Sequence, residues 1–182
     1  MVSKNDFEKA RLDCAVKQKK GLHFILASIL IWTMVLVVQL LEVPILTKNL
    51  FVFCCTAPLM PLAFAISKII KVDFQNKENP LTSLGIIFSI NQMLYLLIAM
   101  WIYYAIPNKM VMIIAMIFGA HLMPFGWLYK SKTYFVLSVF IPIAALIVGL
   151  NFEAYVLAIF MIIVEIVFSA CLVVENKLLF KL

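Results

Sequence analysis

Charge is scarce in this chain. Only 13% of its 182 residues are Asp, Glu, Lys or Arg, about half the share carried by soluble globular domains. Apolar residues make up 65%, against about 45–50% in such domains, so an ordinary soluble fold is excluded. Glycine is scarce too, at five residues, and none builds a phosphate-cradling loop. H-E-x-x-H and G-x-S-x-G are likewise missing, so no catalytic residue is assigned. The four cysteines (Cys14, Cys54, Cys55, Cys171) lack metal-type spacing. Adjacent Cys54 and Cys55 would point about 100° apart on a helix, and methionine mostly fills apolar gaps. No disulfide framework, metal or cofactor is therefore expected. A cleavable leader is not expected either, since the first twenty residues mix both signs of charge without an A-x-A site.

What the chain does have is apolar runs long enough to cross a bilayer. They are expected at about 22–43, 50–70, 81–104, 110–128, 133–150 and 154–174. The predicted fold class is all-α: a polytopic membrane protein with six transmembrane helices in one compact bundle. Residues 1–21 form an amino-terminal segment, 22–174 the bundle and 175–182 a tail. Residues 3–20 suit either a frayed basic tail or a short helix, with Ser3 and Asp6 as a capping box. Phe7, Ala10 and Cys14 on one side fit an interfacial helix on the membrane surface. Short joints make successive helices antiparallel neighbours. Of the 15 basic residues, 13 fall on the side of the termini and two, Lys48 and Lys109, on the other. By the positive-inside rule both termini are then cytoplasmic. The net charge of +6 reads as topology, and a nucleic-acid partner is not expected.

Two phrases nearly repeat: APLMPLAF (Ala57–Phe64) and AHLMPFGW (Ala120–Trp127). Both lie in spans running the same way, which fits either a duplicated helical hairpin or a chance likeness of apolar helices. Pro58, Pro61, Pro124 and Pro142 each interrupt the helical ladder inside a span. Such breaks persist in lipid where protein, water or hydroxyls satisfy the freed carbonyls.

Polar groups form a layer at mid-depth: Glu165 in span six, His121 in span four, Asn91 and Gln92 in span three. A carboxylate there costs about 2.5–3.5 kcal/mol and so needs an interior face and a partner. His121 is the ionisable candidate at that depth. Glu165 and Gln92 also lie on the small-residue stripes of their helices, as do Ser28 and Ser169 on theirs. The layer fits a solute or proton site, or else a static interhelical clamp or homo-oligomer contact. A second polar group, Gln39 and Glu42 with Lys48, Asn151 and Glu153, belongs at the outer mouth.

The segments KQKKG, ENPLTSLG and GAHLMPFGWLYKSKTY resemble an uncharacterised family of small bacterial six-helix membrane proteins, over roughly Lys17 to Lys177. That resemblance implies a bacterial plasma (inner) membrane and assigns no residue a role. The leading expectation is a transporter or solute-binding protein with a proton-titratable site. Its partners would be the lipid bilayer, a small polar solute and protons. One alternative is a non-catalytic interaction or immunity-type protein. Another is a lipid-modifying enzyme, which the mid-depth of Glu165 disfavours.

Overall fold

The computed structural model describes residues 4–179. Among them lie nine α-helical segments and no strand: α1 (Lys4–Lys17), α2 (Leu22–Leu40), α3 (Ile45–Thr56), α4 (Leu59–Ile69), α5 (Leu81–Ala105), α6 (Met110–His121), α7 (Met123–Leu128), α8 (Lys132–Asn151) and α9 (Ala154–Leu179). Six stretches are long and apolar enough to cross a membrane: Lys19–Leu40, Ile45–Ile69, Leu81–Ala105, Pro107–Leu128, Lys132–Asn151 and Ala154–Leu179. The described residues are thus all-α, and their six long apolar helices suggest a multi-pass membrane protein.

Two of the six spans are broken, and both breaks fall in the repeated phrase. α3 stops at Thr56 and α4 restarts at Leu59, with Pro58 between them at φ −77° and ψ 7°. α6 stops at His121 and α7 restarts at Met123. Pro61 and Pro124 then fall in the first turn of the new helix, where a missing N–H leaves no gap in the ladder. Pro142, by contrast, stays inside continuous α8.

α2 makes its most extensive contact with α9, and α6 with α8. The second pair is pinned by glycine. A Cβ on Gly119 would lie 2.5 Å from Cδ of Pro142 and 2.7 Å from Cγ2 of Ile141, and one on Gly149 would lie 2.5 Å from Cγ of Met112. Small residues let membrane helices approach this closely. The proline ring and branched isoleucine cannot yield, whereas a methionine can. Gly119→Ala should therefore destabilise the protein by about 2 kcal/mol, the cost typical of overpacking, and Gly149→Ala by less. Thermal unfolding in detergent would rank the two.

Three boundaries differ from the sequence reading. Span two begins at Ile45, five residues earlier than expected, because Pro44 precedes its first turn and Lys48 turns its ammonium back to the carbonyl of Gln39 at 2.9 Å. α9 runs on to Leu179, into the stretch 175–182 expected as a tail. The expected helix at 3–20 spans Lys4–Lys17 and packs on protein. Cys14 and Ala15 are fully buried, and Phe7 meets the ring of Trp127. Arg11 stacks on Trp127 and donates to its carbonyl. The expected capping box rests on Ser3, outside the described residues.

Candidate functional site

Glu165 projects from α9 toward α2 and is completely buried. Its spacing from Ser169 and Asn176 (four and eleven residues) puts all three on one helical stripe, and all three are buried. The partner supplied by α2 is Ser28, whose Oγ lies 2.5 Å from Oε2 of Glu165. The same Oγ lies 2.7 Å from the carbonyl oxygen of Ile25.

A hydroxyl has one proton to donate and lone pairs to accept with. Ser28 can donate to a carboxylate at Glu165, leaving the carbonyl of Ile25 to its helical N–H. Alternatively, a protonated Glu165 can donate to Ser28, which then donates to Ile25. Both forms of the acid are accommodated by a hydroxyl rotation. The other oxygen, Oε1, is buried with no partner, as is Oγ of Ser169 one turn away.

The remaining members of the expected layer lie elsewhere. His121 makes no hydrogen bond or ion pair with Glu165; its ring packs against Phe118 at 5.4 Å and Phe125 at 6.1 Å. Those residues sit three before and four after it, so aromatic contacts along its own face set its direction. Nδ1 of His121 is buried without a partner. Asn91 is exposed on the outside of α5, donating from Nδ2 to the Tyr95 hydroxyl at 2.8 Å. Gln92 is half-buried. Equal depth brings these groups into one layer without bringing them together.

A family model covers residues 7–175, and its description is a family of unknown function, DUF7010. The chain belongs to the DUF7010 family. No curated protein and no solved structure matches it. The DUF7010 match takes in Ser28, Glu165 and Ser169 and reaches Glu175, one residue short of Asn176, so it also spans most of two polar assemblies at the ends of the bundle.

At the α1 end of this DUF7010 protein, Lys20 is 4% exposed and its Nζ lies 2.6 Å from Oε2 of Glu175. The same carboxylate accepts from the Ser131 hydroxyl at 2.7 Å and from the Thr133 amide and hydroxyl at 2.9 and 2.6 Å. The chain reaches this point through three left-handed residues, Lys19, Lys20 and Gly21, at φ 45°, 52° and 70°. Such strain persists where surroundings overdetermine the backbone. Here Tyr134 donates to the carbonyl of Lys20, Asn176 to that of Lys19, and Tyr129 to the side chain of Gln18. A Cβ at Gly21 would lie 2.9 Å from the Tyr134 hydroxyl.

α1 is held over this end by Asp13, which accepts from Asn79 at 2.7 Å, Asn76 at 3.1 Å and Lys17 at 3.1 Å. Partial burial pushes the Asp13 carboxyl up, but these donors together outweigh it and hold the group below the usual aspartate range. Hydrogen bonds from Lys130 and Arg11 likewise lower Glu8.

Sequence reasoning passed over Lys20, Glu175 and a second buried imidazole. His23 is 1% exposed, lies between Phe24 and Phe74, and has neither ring nitrogen bonded. A glycine after two lysines at the mouth of an apolar run was the available signal for the turn.

At the opposite end a cleft of about 600 Å³ gathers Gln39, Lys48, Lys109, Asn151 and Glu153 among its lining residues. Four of these five, all but Lys109, belong to the group expected at the outer mouth; Glu42 is exposed and does not line the cleft.

Proposed function

We propose that this is a multi-pass protein of the bacterial plasma membrane, with both termini cytoplasmic, that moves or binds a small polar solute in exchange with a proton carried on Glu165. The observation that carries the reading is Ser28, whose hydroxyl can serve both the charged and the neutral form of a buried mid-span acid. A purely structural clamp has no need of that versatility. The buried stripe from Glu165 through Ser169 to Asn176 provides a polar route toward the α1 end, interrupted by Leu172. The breaks at Pro58 and Leu122 interrupt two spans, and the segments flanking Pro58 pack on α2, so a change of bend there would be felt at the helix that carries Ser28. Orientation rests on the 13-to-2 division of basic residues. The test is whether Glu165→Gln abolishes solute-driven changes of lumenal pH in proteoliposomes.

A second reading, a non-catalytic interaction protein, is favoured by α5. Of the most apolar part of this span, 11% is buried, and Asn91 near its midpoint is exposed, its amide meeting just the Tyr95 hydroxyl of the same helix among the described residues. An amide in hydrocarbon is costly and finds partners on other helices; being both donor and acceptor, it can pair with its own copy across a two-fold axis. On this reading Asn91→Leu shifts a dimer to monomer in analytical ultracentrifugation at equal detergent concentration. An unchanged sedimentation profile would count against it.

A further inference from the structure

The cleft at the end opposite α1 has no part in the proton chemistry of Glu165, and what lines it indicates a ligand of its own. Lys48 and Lys109 come from different elements, α3 and the turn before α6. Each is fixed by donating one N–H to a backbone carbonyl: Lys48 to Gln39 at 2.9 Å and Lys109 to Gly149 at 2.7 Å. An ammonium has three donors, so each keeps two. Anchoring also reduces the side-chain entropy that a ligand would otherwise have to overcome.

The third observation is Gln39. It lines the same cleft, is 9% exposed, and its Nε2 is buried with no hydrogen-bond partner. The donor is unmet where it lies, and rotation of the amide would present it to an acceptor in the cleft. Residues with spare donors on three elements thus line one cleft, and the acid among the lining, Glu153, is exposed.

We propose that this cleft binds a small oxyanion, a carboxylate or phosphate group, between Lys48 and Lys109 with the amide of Gln39 donating to it. The inference stands whether or not Glu165 exchanges a proton. Two sources carry this chemistry: a free anionic solute and the headgroup phosphate of an anionic lipid.

The experiment uses the full chain in phosphatidylcholine nanodiscs. Acetate, L-glutamate and inorganic phosphate are titrated by calorimetry, and retention of added phosphatidylglycerol is followed by native mass spectrometry. Saturable binding of a free probe, weakened about ten-fold or more by Lys48→Gln, Lys109→Gln or Gln39→Leu, supports a solute site; this is the scale of losing one charge-assisted hydrogen bond. Lipid retention lost in the same variants supports the same oxyanion site filled from the membrane. Lys132→Gln, exposed and outside the cleft, should change neither. Wild-type protein that binds no probe and retains no phosphatidylglycerol overturns the proposal, whether or not the variants fold. So does binding that all three cleft variants retain unchanged.

Discussion

Proteoliposomes carrying Glu165→Gln should show no change in lumenal pH when amino acids, sugars or small carboxylates are added outside, under conditions in which the wild type responds to at least one of them. Glutamine has nearly the shape of glutamate and can still accept from the Ser28 hydroxyl, so the α2–α9 contact survives while the titrating proton is lost. Retained thermal stability would separate this outcome from misfolding. Ser28→Ala is the complementary change. It removes the one partner of Glu165 and leaves the whole carboxyl group buried and unmet, which should destabilise the protein by about 1–3 kcal/mol. A wild-type response that persists undiminished in Glu165→Gln removes the acid from the mechanism.

The largest loss of stability is expected at Lys20 and Glu175. Glu175→Ala would leave the buried ammonium of Lys20 without a counter-charge and strand the donors of Ser131 and Thr133. Removing one partner of a buried pair costs about 3–5 kcal/mol. The Glu175 side chain is 19% exposed, which places the expectation near the lower end, about 3 kcal/mol. The penalty comes from the isolated charge more than from the lost attraction, so Lys20→Met combined with Glu175→Leu should be less damaging than Glu175→Ala alone. Denaturant titration in mixed micelles would measure all three. A loss below about 1 kcal/mol for Glu175→Ala would show that the pair behaves as an exposed one.

Much of this architecture is legible in the amino acids, and the limits are physical. Six spans follow from apolar length, and the interrupted ladders follow from Pro58, Pro61 and Pro124. The burial of Glu165 follows from its place among small residues on α9. Its partner does not follow, because position along a span gives depth while contact also requires direction. His121 has comparable depth but is turned by Phe118 and Phe125. Asn91 and Gln92, successive residues about 100° apart on a helix, cannot both face inward. Ser28 was visible as one small residue in a stripe; its role depends on α2 lying against α9, a long-range fact. Glu175 read as tail because it is charged and near the end, yet its partners lie 155, 44 and 42 residues away in sequence. The docking of α1 is hidden for the same reason, since Asp13 meets Asn76 and Asn79 across more than sixty residues.

Infrared spectroscopy of the carboxyl C=O stretch, compared between wild type and Glu165→Gln in lipid while the pH is stepped, reads the buried acid directly. If Glu165 exchanges its proton with water across the membrane-embedded α2–α9 contact, a band assignable to it should grow and fade reversibly with pH and be missing from the variant. Ser28→Ala should move that band in frequency. A Glu165 band that stays constant over the whole pH range in which the protein remains folded would contradict the account, and would leave the residue a fixed neutral hydrogen-bonding group between two helices.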